Sequence, residues 1–145
     1  MWISLANRFL LAYFDKQKVS SSAVNISSKF QKTENVLLRE DQPYSGTLES
    51  IEENGTVISN YREGKLHGIQ KTYYSTGELK RASMFTKGLE NGRRVEYYPC
   101  GCKRLNANFS NGQQDGIAEE WERNGKIKSR KTYFRGKLIA IKANP

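Results

Sequence analysis

Among 145 residues the chain has one histidine, two cysteines and three prolines. One imidazole and two thiols leave out most metal sites and most histidine-based catalysis assembled within a single chain. No apolar run approaches the ~18 residues a spanning helix needs, so that class of segment is excluded. Apolar side chains are scarce as well. With 37% hydrophobic residues and a mean hydropathy of −0.75, the chain has little material for a core. Its length suits one domain or one short repeat array. No cofactor motif is present.

What the chain has in excess is positive charge and glycine. The formal net charge is +9, with 18 basic against 11 acidic residues from Gly46 onward and 6 against 4 before it. That balance suits an acidic protein, an anionic membrane surface or nucleic acid, and does not choose among them. The 12 glycines are strictly spaced. From Gly68, steps of 9, 20 and 24 residues reach Gly77, Gly88 and Gly92. The same steps lead on to Gly101, Gly112 and Gly116, then to Gly125 and Gly136, and the lattice stops at Ala140. A shorter first unit runs Gly46, Gly55, Gly64.

Side chains keep this register. Five residues after each starting glycine stand Ile51, Tyr73, Tyr97 and Trp121. Three before each third glycine stand Tyr61, Phe85, Phe109 and Tyr133. Two after each middle glycine stand Val57, Leu79, Lys103 and Ile127. Glycines this frequent leave no room for ordinary helices, and the Tyr, Phe, Thr, Val and Ile between them suit strands. Asn54-Gly55, Thr76-Gly77 and Asn124-Gly125 are hairpin turn signals. Each unit therefore reads as one β-hairpin, and the chain as an elongated, curved antiparallel meander in which every hairpin needs its neighbours. Alternation puts Tyr73, Tyr97 and Trp121 on a face with Ile69, Arg93 and Ile117. It puts Phe85, Phe109 and Tyr133 on a face with Leu79, Lys103 and Ile127. Both sets are expected to line the inner face as core.

The strings Tyr61-Arg-Glu-Gly-Lys-Leu-His-Gly68, Tyr73-Tyr-Ser-Thr-Gly-Glu-Leu-Lys80 and Trp121-Glu-Arg-Asn-Gly-Lys-Ile-Lys128 resemble the variant MORN (membrane occupation and recognition nexus) repeat. Val36-Leu-Leu-Arg39 and Pro43-Tyr-Ser-Gly46 resemble the opening of bacterial repeat proteins of the YwqK-type antitoxin family. The resemblance covers about residues 36–139. It implies stacked hairpins, no catalysis and a binding role: membrane lipid for the eukaryotic repeat, toxin neutralisation for the bacterial family. His67 sits at a consensus place, which implies a structural role. The third unit departs from the pattern with Pro99-Cys-Gly-Cys102 and Lys103.

The array is expected over residues 35–145, and residues 1–34 as a helix followed by a Ser-rich linker. Residues 1–14 have helical periodicity, and such a helix would cap the sheet. A signal peptide cleaved near Ser21–Ala23 and an interfacial membrane helix stay open as alternatives, so the compartment turns on residues 1–23.

Candidate contact residues follow from the register. Lys80, Arg104 and Lys128 recur three residues after the middle glycines, thickened by Arg81 and Lys103, and should form a basic ladder pointing away from Phe85, Phe109 and Tyr133. Tyr74 and Tyr98, with Glu122 at the equivalent place, should form an outward patch for a partner. Cys100 and Cys102 read as free thiols, because a bridge two residues apart would be strained. No nucleophile–base pair or groove-reading helix is visible, which disfavours an enzyme and a duplex nucleic-acid reader. The composite expectation is a non-enzymatic module binding an acidic protein, with a peripheral role on anionic membrane as the alternative. Self-association through the open repeat ends stays open.

Overall fold

The computed structural model describes residues 30–32 and 36–142. The helix expected over residues 1–14, the cleavage site and the serines of the linker lie outside the described residues. The described residues form strands and no helix. A small antiparallel sheet contains β1 (Phe30–Lys32), β2 (Leu37–Arg39) and β3 (Gln42–Pro43). Phe30–Lys32 is thus strand, although composition groups it with the linker.

The main sheet has 11 strands. They are β4 (Gly46–Glu52), β5 (Gly55–Arg62), β6 (Lys65–Leu66), β7 (Gly68–Tyr73), β8 (Leu79–Thr86), β9 (Leu89–Tyr97), β10 (Lys103–Ser110), β11 (Gln113–Gln114), β12 (Gly116–Trp121), β13 (Ile127–Phe134) and β14 (Lys137–Lys142). Pairing is antiparallel and follows chain order from β4 to β14, with β6 and β11 as short pieces on β5 and β10. The all-β antiparallel meander of glycine-spaced hairpins is therefore present.

Two kinds of turn alternate along the sheet. At one edge the Tyr74 amide donates to the Glu78 carbonyl (2.9 Å) and the Gly77 amide donates back to Tyr74 (2.9 Å). The same pair of bonds recurs at Tyr98–Cys102 and Glu122–Lys126. At the other edge lie two-residue turns. Lys87 (φ 52°) and Gly88 (φ 87°) are both left-handed, the type I′ geometry whose twist matches flanking strands. Glu63-Gly64, Asn111-Gly112 and Arg135-Gly136 repeat it. These steps, which the glycine spacing suggests are connections between hairpins, are themselves tight hairpin turns of two residues. Each is tied to the turn one unit earlier: the amides of Gly88, Gly112 and Gly136 donate to the carbonyls of Leu66, Glu90 and Gln114 at 2.7–2.8 Å.

The expected faces need correction. The pairing of β7 with β8, of β9 with β10 and of β12 with β13 each carries a register shift beside the aromatic that ends the first strand. A bulge inserts one residue and so reverses the parity of alternation. Leu79, Lys103 and Ile127 consequently stand opposite Tyr73, Tyr97 and Trp121, not beside Phe85, Phe109 and Tyr133. The sheet has a Trp face, with Tyr73, Tyr97 and Trp121, and a Phe face, with Tyr61, Phe85, Phe109 and Tyr133.

The Phe face is packed mostly by small and charged groups. Ser83 (2% exposed) and Ala107 (0%) are buried in its centre. The Arg94 guanidinium lies 4.2 Å from the Phe109 ring centroid and bonds Glu90 (Nε to Oε1, 2.8 Å). At the first end the small sheet is pinned by Leu37, whose amide donates to Gly64 (2.7 Å) while the Gly64 amide donates to Tyr44 (2.7 Å).

Glycine is obligatory to different degrees. A Cβ on Gly55 would lie 1.9 Å from the Tyr73 carbonyl oxygen, whereas a Cβ on Gly125 would meet nothing within 4 Å. Gly125→Ala should therefore cost only left-handed strain, about 1–2 kcal/mol. Gly55→Ala should cost clearly more, because the backbone after β7 must also move. Urea unfolding of the two variants checks this, and equal losses would refute the close approach.

Candidate interaction surface

The bulge also relocates the basic ladder. Lys80 and Arg104 fall at the inserted positions in β8 and β10, and Lys128 occupies the same place in β13. Arg104 forms an ion pair with Glu96. Glu96 stands opposite Arg81 and Leu105, which alternation places on the Phe face with Phe109. Arg104 therefore reaches over the face it was expected to avoid. Lys80 Nζ sits 5.4 Å from the Tyr74 ring centroid. Lys103 is exposed opposite Tyr97, so it and Arg81 lie on opposite faces. The five basic candidates thus divide between faces, and two of them sit against Glu96.

Tyr74 and Tyr98 are ties between units. Both rings are half-buried. The Tyr74 hydroxyl donates to the Tyr97 carbonyl (2.8 Å), and the Tyr98 hydroxyl donates to the Trp121 carbonyl (2.9 Å). Each bond spans 23 residues and joins one turn to the following unit. Glu122 is exposed. Both hydroxyls are thus engaged within the sheet, and the half-exposed rings are what a partner would meet.

Cys100 and Cys102 are joined as a disulfide, against the free thiols expected. The reason is the left-handed Gly101 (φ 80°). It turns the chain between the two residues, whose Cα atoms lie 5.6 Å apart, within the span of a disulfide. In the neighbouring turn, the Thr76 hydroxyl bonds Glu78 and, as the largest cause, holds that carboxyl below its ordinary value. Among the described residues no group of three or more His, Cys, Asp or Glu side chains could hold a metal ion.

Exposed apolar surface collects at the C-terminal edge. β14 pairs with β13, and among the described residues no strand pairs with its other side. Leu138, Ile139 and Ile141 are 47%, 62% and 63% exposed, and Lys137 and Lys142 close the strand. Sequence reasoning passed over this segment, although the signal is there: Leu138-Ile-Ala-Ile141 falls where the glycine lattice stops.

Residues 66–87 and 114–134 match the MORN repeat variant. The two matches begin two repeat lengths apart and cover the units built on β7–β8 and β12–β13. Repeats of this kind generally serve as protein- or lipid-interaction modules, without catalysis. The intervening unit, unmatched, holds the disulfide turn and sets Lys103 where its neighbours set Leu79 and Ile127. No curated protein matches the chain.

Tyr74→Phe and Tyr98→Phe should each lower stability by about 0.5–1.5 kcal/mol, the net worth of one hydrogen bond. Partner binding should stay intact. Urea unfolding and a binding assay on the same samples check both, and lost binding at unchanged stability would restore the outward patch.

Proposed function

We propose that the chain is a non-enzymatic repeat module that binds an acidic protein by adding a partner strand to its C-terminal edge. The observation that carries this reading is the state of β14. Natural edge strands are short, charged along their length, interrupted by proline or covered. β14 offers six residues, four of them apolar, with lysines only at its ends. Strand addition satisfies such an edge through the main chain, and neighbouring side chains select the partner.

Charge selects between occupants. Two copies of β14 paired antiparallel about Ile139 and Ala140 would set Lys137 against Lys142 twice. Like charges directly opposite are unfavourable, and each copy carries +9. An extended segment with carboxylates at both ends meets the same lysines favourably, and the net charge speeds its approach. The finer form of the reading is that the partner is a toxin or effector domain which the chain neutralises. It is supported by the likeness of the opening and repeat strings to antitoxin-type repeat proteins.

The test is affinity capture by the full-length chain and by an Ile139→Lys, Ile141→Lys variant, followed by re-binding with the purified captured protein. One acidic protein should bind stoichiometrically at moderate salt and lose at least tenfold in affinity with the variant. Salt-labile mixtures, or pelleting with anionic vesicles alone, would replace this reading with a membrane-surface role.

A further inference from the structure

One cavity stands apart from the open edge, at the opposite end of the main sheet. Its volume is about 430 Å³, within the range of small-molecule sites. Three separate elements bring a lysine to its wall: Lys32 from β1, Lys65 from β6 and Lys87 from the type I′ turn after β8. Three leucines, Leu37, Leu66 and Leu89, supply its apolar surface. Among the described residues no carboxylate lines it. Its walls belong to different sheets: the Leu37–Gly64 backbone bond (2.7 Å) pins the small sheet to the main one, and the Gly88–Leu66 bond (2.8 Å) joins two units of the main sheet.

The repeat itself shows that this lining is particular to one place. The positions of Lys65 and Leu66 are taken one unit later by Leu89 and Glu90, then by Gln113 and Gln114. The position of Lys87 is taken by Glu63 one unit earlier and by Asn111 one unit later. The next step along the sheet therefore carries a carboxylate, Glu90, and has neither lysine. Fold requirements common to all units do not explain three ammonium groups around leucines at this step alone. Tyr61 adds a phenol to the wall. Burial pushes that phenol above its ordinary 10.0, against a smaller lowering by its hydrogen bond with Ser59, so it is a neutral hydrogen-bonding group at physiological pH.

We infer that this cavity is a binding site for a small organic anion, one carboxylate or phosphate carried on an apolar body. The lysines neutralise the anion, and the leucines take the body out of water. Neither half suffices alone: bare phosphate wastes the apolar wall, and a neutral hydrocarbon makes no use of the three ammonium groups. The site is independent of partner binding at β14, because it lies at the other end of the array.

Titration of the ¹⁵N-labelled full-length chain tests it, with phenylbutyrate as probe and phenylbutanol and inorganic phosphate as controls. Phenylbutyrate should shift the amides of Gly64, Leu66, Gly88 and Leu89 saturably in the millimolar range or below. Both controls should bind at least about tenfold more weakly. Lys65→Gln with Lys87→Gln should weaken phenylbutyrate about tenfold or more while the remaining spectrum is preserved. Lys71→Gln, which removes a charge elsewhere on the sheet, should leave the affinity unchanged. Equal shifts from phenylbutanol would reduce the site to an apolar crevice, and equal binding of phosphate would reduce it to surface charge. Absence of saturation, or response only to anionic vesicles, would also overturn the assignment.

Discussion

The structure depends on a backbone interaction that no side chain can replace. At Gly88, Gly112 and Gly136 the amide of a left-handed residue donates to a carbonyl two residues past the turn one unit earlier. A β-hairpin alone is marginal in water, and a chain with 37% hydrophobic residues cannot rescue each hairpin with a core of its own. Stability has to come from stacking units, and stacking requires that successive turns meet. The type I′ geometry makes them meet. It places Glu63, Lys87, Asn111 and Arg135 at positive φ, which costs roughly 1–2 kcal/mol for a residue with a side chain. The bond to the previous turn and the matched twist offset that cost.

A second constraint decides what each face presents. The bulge in the hairpins of the second, third and fourth units turns the chain over by one residue. Leu79, Lys103 and Ile127, which unbroken alternation would set beside Phe85, Phe109 and Tyr133, then belong to the Trp face. Aromatics consequently serve both faces, and neither receives enough apolar volume to be a conventional core. The Phe face answers with small residues at its centre and with Arg94 between Phe109 and Glu90. Paired charges of this kind contribute less than apolar packing, because desolvation consumes much of the attraction. They keep the face specific while leaving it compatible with water.

The hairpin array was legible in the sequence because glycine positions are set by backbone geometry, which repeats without regard to composition. The bulges were not legible. Lys80, Arg104 and Lys128 look like ordinary strand residues, and nothing in their identity announces an inserted position. Missing one residue reverses every face assignment beyond it, and the basic ladder was misplaced for that reason. Tyr74 and Tyr98 have a structural role that the sequence could not show, since alternation states which way a ring points but not which carbonyl lies 23 residues ahead. The Cys100–Cys102 bridge was set aside for its two-residue spacing, and spacing does not state how closely the left-handed Gly101 brings the flanking residues. The lysine-lined cavity had no local signal, because Lys32, Lys65 and Lys87 converge only after the small sheet docks.

These misses share a physical origin that also indicates where function resides. What recurs along the array serves stacking: the turn glycines, the turn-to-turn bonds and, in two successive units, the Tyr74 and Tyr98 ties. A residue present in every unit cannot mark one place on the surface. Specific recognition must therefore come from departures, and these lie at the two ends and in the middle. At the first end, the short unit and the small sheet create a cavity whose lysines have no equivalents at the next step. In the middle, Pro99 to Lys103 change one turn and one cross-strand pair. At the last end, no described strand pairs with the outer side of β14, so among the described residues a ladder edge of the kind used for stacking is left open. The same main-chain chemistry that holds one hairpin to the next is what that edge offers to a partner.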